Sequence, residues 1–333
     1  MASNGKKVLV NVYHLIEREA PYLQRLRDAG FELVFNRLKR QQTAEELIAA
    51  LPGAIGTIAG SEPYNEQVFA SPAAKDLRVV ARFGVGYDRV DVPAATRHGV
   101  AVAMAFGANH EAVADGAFTL MASIAGRIVM RDRQVRLGGW GDAFHQGLWR
   151  ATVGVLGMGR IGRAFIRRCK GFEMRILCHD PVGDAAWAKA NGVTLVPLDQ
   201  LLRESDFVSL HAPWTKDTEK MINAQRLALM KKTAFLINTA RGQLIDEEAL
   251  ADALEAKRIG GAAIDCFTKE PPAGSRLLKL DNVILTPHST GMDVTAEHAM
   301  ANRCIDSILA VSRGENLGDA YVLNPDALRV TRQ

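Results

Sequence analysis

Short, nearly continuous apolar runs bounded by Gly, Pro, Asn or Asp recur along the chain. KVLVNVY, ELVFN, GTIAG, RVVARFG and VAVAMA precede residue 105; TVGVLG, MRILCHD, FVSLHAP, AFLINTA, GAAIDCF and NVILTPH follow residue 150. Between them lie stretches with apolar positions at helical spacing, such as EREAPYLQRLRDAG, AEELIAALPG, RAFIRRCKGF and DEEALADALEAKRIG. A strand that is apolar at successive positions is buried on both faces, and helices alternating with such strands cover a parallel sheet from either side. The pattern predicts an α/β protein with two doubly wound parallel sheets, five strands in the first and six in the second. The segment from Gly107 to about Leu137 has helical spacing and no strand signal, and predicts a helix or helix pair joining the two sheets. DVTAEHAMANRCIDSILAVSRG predicts a last helix after the final strand.

Composition narrows the class. A chain of 333 residues that is 48% hydrophobic can bury two domain cores. The net charge of +4 comes from scattered basic residues, which argues against a nucleic-acid partner. Only three consecutive apolar residues precede Asn11, too few for the core of a signal peptide, and no run approaches the length of a membrane span. Four cysteines, at 169, 178, 266 and 304, lack metal-ligand spacing and read as reduced, buried thiols. The expectation is a soluble cytoplasmic protein with no membrane partner and no metal.

The candidate chemistry begins at TVGVLGMGRIGRAFIRR, residues 152–168. Glycines at this spacing arise often by chance. Here an apolar strand precedes Gly157, an amphipathic helix follows Gly162, and a second strand ends at Asp180, so the context is that of a dinucleotide-binding turn. Gly157 permits the tight turn, Gly159 lets the backbone approach a pyrophosphate, and Gly162 allows close helix–strand packing. The helix start at Arg160 and Ile161 offers unpaired N–H groups to the phosphates. Asp180 would accept from the adenosine ribose hydroxyls. Val182 and Gly183 bring no arginine for a 2′-phosphate, which favours NAD over NADP.

Three further segments, INTARGQLIDEEAL (237–250), AIDCFTKEPP (263–272) and TPHSTG (286–291), follow in order. Together with GMGRIG and ARFGVGYDRVD (81–91), they make the chain resemble the D-isomer-specific 2-hydroxyacid dehydrogenases over nearly its whole length. The resemblance implies a Rossmann-like and a flavodoxin-like domain with a cleft between them. Residues 104–291 would form the NAD-binding domain, and 1–103 plus 292–333 a discontinuous substrate domain. It places the catalytic groups at Arg241, Glu270 and His288. Arg241, a planar permanent cation, would grip the carboxylate and carbonyl of a 2-keto acid. His288 would give a proton to the alkoxide as hydride arrives, and Glu270 would hold and charge the imidazole.

The same resemblance gives cofactor roles to His211, Pro213, Thr218, Thr239 and Ala240, and a nicotinamide carboxamide contact to Asp265. Ser61, Glu62, Val85 and Gly86, with Arg241 and His288, would meet the substrate. Glu62 stands in the loop GSEPYNEQ, where phosphoglycerate-type members often carry a basic residue, and would disfavour a phosphorylated acid. The loop also resembles that of phosphoglycerate-dehydrogenase-like sequences, so the resemblance implies a substrate of the hydroxypyruvate, glyoxylate or phosphoglycerate type. Two other departures are Asp115, where the family usually has Glu, and the polar pair Ser289 and Thr290, where small or apolar residues are commoner. A homodimer is implied by the resemblance alone. Formate dehydrogenases carry glutamine in place of the acid, so Glu270 argues against that branch. Phosphite oxidation and dinucleotide-sensing corepressors retain the same three residues and stay as alternatives.

Overall fold

The computed structural model describes residues 6–17, 20–38, 40–141, 144–315 and 321–329. The chain divides into two compact units, residues 1–109 with 294–333, and residues 110–293.

The first unit holds β1 (Lys7–Val10), β2 (Glu32–Phe35), β3 (Ala54–Ala59), β4 (Val79–Arg82) and β5 (Ala101–Met104) in the order β2-β1-β3-β4-β5. Every pairing is parallel. The order reverses at β1, so the ends of β1 and β3 flank the point where crossovers leave to opposite faces. Helix Val294–Ser312 returns to this unit and packs on β3, β4 and β5, burying Ala296, Met300, Ala301, Cys304, Ile305, Ile308 and Leu309. The chain then runs beside β5, where Met104 donates its N–H to the Tyr321 carbonyl at 2.8 Å and Val102 donates to Asn324 Oδ1 at 2.8 Å.

The second unit holds β6 (Thr152–Leu156), β7 (Arg175–His179), β8 (Val193–Leu195), β9 (Phe207–Leu210), β10 (Phe235–Asn238), β11 (Gly261–Ile264) and β12 (Val283–Leu285). The order β12-β11-β10-β9-β6-β7-β8 is all parallel, the dinucleotide-binding order with one strand added at the far edge. This sheet has seven strands where the apolar runs predict six. The strand that the apolar runs do not predict is β8, three residues long at the opposite edge of the sheet from β12, of which only Val193 is buried. One inward side chain leaves no apolar run to read.

The segment after Gly107 forms a helix pair, His110–Ala125 and Ile128–Arg136, bent by 56°. Arg127 marks the break with φ of +52°. Ala114, Ala117, Leu120, Met121 and Ile124 of the first helix enter the core of the second unit. Among the described residues no single helix is long and apolar enough to cross a membrane.

Candidate functional site

The glycine loop follows β6. Gly157 has φ of +95°, and a Cβ there would lie 2.8 Å from the backbone of His211 and Ala212. A Cβ on Gly162 would come 2.1 Å from the Gly157 carbonyl oxygen, so helix Arg160–Lys170 starts at a separation only glycine permits. Gly159 is different: nothing stands within 4 Å of where its Cβ would be. Two glycines thus allow close packing and the third opens a space at the helix start, as a pyrophosphate requires.

Asp180 follows β7 and braces this loop. Its Oδ2 accepts from Met158 N at 2.7 Å, and its Oδ1 accepts from Val182 N at 3.1 Å. His211, after β9, lies under the loop with its ring centroid 4.9 Å from that of Phe165 and its Nε2 2.9 Å from Ser209 Oγ. Burial pushes its pKa down to about 3 and keeps the ring neutral. Beyond it, Thr218 Oγ1 donates to the Pro213 carbonyl at 2.7 Å, closing the HAPWTKDT segment into a turn. Thr239 is buried and its Oγ1 has no hydrogen-bond partner, a polar atom left for a ligand. The open Gly159 and the orphaned Thr239 hydroxyl fit a dinucleotide held by Gly157–Gly162, Asp180, His211 and Thr239.

Arg241 follows β10 in extended backbone. Two neighbours place it. Buried Asn238 takes the Ala240 N–H on Oδ1 at 3.0 Å and donates from Nδ2 to the Arg241 carbonyl at 2.8 Å. Gly242 lies so near the chain after β11 that a Cβ would stand 2.0 Å from the carbonyl carbon of Phe267. Neither residue is singled out by the sequence. The available signal is a polar residue closing an apolar strand, which must bond locally when buried.

Glu270 and His288 meet directly. His288 Nδ1 is 2.9 Å from each Glu270 oxygen, and Glu270 Oε1 also accepts from Phe267 N at 3.0 Å. Burial pushes the Glu270 carboxyl up, but the His288 bond and charge, the Phe267 N–H and the Arg241 guanidinium outweigh it and hold the pKa low. The carboxylate is held in its ionised form facing the imidazole. Cys266 Sγ lies with the Glu270 and His288 donor atoms in a group that spans less than 4.8 Å.

Asp265 has a second set of partners besides the expected nicotinamide contact. It is buried, and its carboxylate turns to the loop carrying His288, with bonds to Thr286, Ser289 and Thr290.

In the first unit, Val85 and Gly86 follow β4, and Ser61 follows β3; all three are half-buried. Glu62 is a correction. Its side chain turns inward, 3% exposed, and Oε2 accepts from Gly60 N at 2.8 Å. Burial raises its pKa against the opposing effects of backbone N–H groups and the Arg82 charge. The carboxyl is folded beneath its own loop and bonded to it.

A glycine cradle on a doubly wound sheet, with an arginine and a histidine–carboxylate pair on loops that follow its strands, defines a dinucleotide-dependent dehydrogenase. The comparisons agree. Residues 118–290 match the family model described as D-isomer specific 2-hydroxyacid dehydrogenase, NAD binding domain. The chain belongs to that family, and its cofactor is NAD. It is 44% identical over 262 residues to a glyoxylate reductase of Korarchaeum cryptofilum, covering 77% of this chain and 78% of that one. It is 42% identical over 236 residues to a D-3-phosphoglycerate dehydrogenase of Synechocystis, covering 70% of this chain but 42% of the relative. The crystal structure of the TT0316 protein from Thermus thermophilus superposes with a TM-score of 0.86 at 34% identity, over 95% of this chain and 99% of that one.

Proposed function

We propose that the protein reduces a small, unphosphorylated 2-keto acid of the glyoxylate or hydroxypyruvate type with NADH. The observation that carries this reading is the His288–Glu270 pair, with both carboxylate oxygens 2.9 Å from Nδ1 and the Arg241 charge acting on the same carboxylate. Arg241 binds the substrate carboxylate and polarises its carbonyl. Bound NADH supplies the hydride that arrives at C2. His288, held by Glu270, releases a proton to the carbonyl oxygen, so the alkoxide is neutralised as it forms. In the oxidative direction the neutral imidazole takes that proton back.

Substrate binding is assigned to the first unit, through Ser61, Val85 and Gly86. The loop GSEPYNEQ contains no Lys or Arg, which supports an unphosphorylated acid even though Glu62 turns inward. A relative named glyoxylate reductase supports the same class. NADH consumption with glyoxylate, hydroxypyruvate and 3-phosphohydroxypyruvate tests the reading. The first two are expected to give the higher kcat/KM. A preference for the phosphorylated acid, or no turnover of any of them, overturns it.

The segment from Ile128 to Trp149 leaves Leu137, Trp140 and Phe144 at least 77% exposed. Large apolar side chains left exposed along one segment support pairing with a second copy. Sedimentation at micromolar concentration is expected to give a dimer, and Trp140→Asp to shift it toward monomer. Four buried free cysteines suit a reducing compartment, and we place the protein in the cytoplasm.

A further inference from the structure

His288 sits at φ of +53°, in the left-handed region that residues with a Cβ seldom occupy. Such a conformation persists where the surroundings over-determine it, and it clusters at sites of chemistry. Here one carboxylate bonds to the chain on both sides of His288. Asp265 Oδ1 accepts from Thr286 Oγ1 at 2.6 Å and from Ser289 N at 3.0 Å. Asp265 Oδ2 accepts from Thr290 Oγ1 at 2.7 Å and from Thr290 N at 3.3 Å. An ionised carboxylate has about four acceptor positions. All are directed at the residues just before and after His288.

Both ends of this arrangement are anchored. Asp265 follows β11 and donates its own N–H to the Asn238 carbonyl at 2.9 Å, tying it to the end of β10, three residues before Arg241. Thr290 rests against helix His110–Ala125 at Gly116, where a Cβ would lie 2.5 Å from the Thr290 Cβ and 2.9 Å from its carbonyl oxygen. Only glycine lets the loop come so near.

We propose that Asp265 and Thr290 are positioning residues for proton transfer, clamping the loop that holds His288 in its left-handed conformation. On this assignment Asp265 acts on the histidine loop besides any contact it makes with the nicotinamide. A carboxamide contact would have to share or break one of its four bonds. Thr290 supplies the second hydroxyl of the clamp, at one of the positions where this chain departs from small or apolar residues. The proposal rests on His288 being the proton donor, so one readout is chosen that does not depend on turnover.

Thr290→Val keeps the shape and removes the hydroxyl; Thr290→Ser keeps the hydroxyl. Hydrogen exchange of the Ser289 and Thr290 amides is followed in the unliganded protein, and kcat, KM for glyoxylate and the NADH dissociation constant are measured alongside. In the Val variant exchange is expected to quicken at least ~10-fold, the worth of a bond to a charged group. Its kcat is expected to fall about 10- to 100-fold, as a misplaced reacting group implies, with NADH affinity within about twofold. The Ser variant is expected to restore both. Gly116→Ala, which displaces Thr290 without removing a bonding atom, is expected to act in the same direction. Unchanged exchange in the Val variant overturns the clamp, as does a Ser variant impaired as much as Val. A loss of NADH affinity parallel to kcat would return Asp265 and its partners to the cofactor. Quickened exchange in a protein that reduces no 2-keto acid would sustain the clamp and sink the functional reading alone.

Discussion

His288 Nδ1 stands at 2.9 Å from Glu270 Oε1 and at the same distance from Oε2, so the imidazole nitrogen faces both carboxylate oxygens. The bond to His288 is the foremost of the interactions that hold the Glu270 carboxyl low against its burial.

Replacing Glu270 by Gln keeps an acceptor and removes the charge. In Glu270→Gln kcat/KM for keto-acid reduction is expected to fall about 10- to 100-fold, the worth of one hydrogen bond to a charged group, with NADH affinity little changed. Initial rates at saturating NADH check it; an unchanged kcat/KM separates Glu270 from the chemistry.

Arg241→Lys retains a positive charge but loses the planar two-point grip. A fall of about 10- to 100-fold in kcat/KM for the keto acid is expected, the worth of one charge-assisted hydrogen bond, with NADH affinity little changed. Equal losses in turnover and NADH binding would assign the residue to the cofactor.

Asp180 faces the cofactor decision twice, because it repels a 2′-phosphate and also holds the Met158 amide. Like charges about 4 Å apart repel by up to ~4 kcal/mol at an effective dielectric near 20, so NADH is expected to exceed NADPH by roughly 100-fold or more in kcat/KM. Asp180→Ala is expected to narrow that ratio and to weaken NADH itself about tenfold, since the loop loses its brace. Comparable kcat/KM for the two cofactors in the unmutated protein would refute this.

His211 links pH to stability. Its pKa falls from 6.5 to about 3 in the fold, so between those values the unfolded chain takes up a proton that the native one does not. Stability is therefore expected to drop as pH falls below 6.5, by up to ~1.4 kcal/mol per pH unit from this group. Urea unfolding at pH 6, 5 and 4 should show a shallower dependence in His211→Gln. Identical slopes in both proteins would mean the native ring is charged.

Much of this was readable before any coordinates, and for a physical reason. Strands buried on both faces write themselves as unbroken apolar runs, which is why eleven were visible and β8, with Val193 alone inside, was not. Arg241, Glu270 and His288 were expected from the family resemblance of three short segments, and Glu270 and His288 lie in contact. Direction is another matter. Glu62 and Asp265 are both carboxylates on loops, and nothing in their neighbours' identities says that one folds under Gly60 and the other reaches across to Thr290. Asn238 and Gly242 escaped notice because they act through backbone geometry, which one side chain's identity does not announce.

The first sheet is covered by a helix that lies, in sequence, beyond the whole of the second unit. On the ribosome, β3, β4 and β5 emerge first and must wait for residues 110–293 to be made before Val294–Ser312 can close over them. At about 5 to 20 residues per second, that wait is roughly 10 to 40 s. The contiguous unit can complete its core during this interval, while the face awaiting Ile305 and Ile308 stays open to water and to other nascent chains. The part of the protein synthesised earliest is the last to become native, and its exposure to chaperones is set by translation speed.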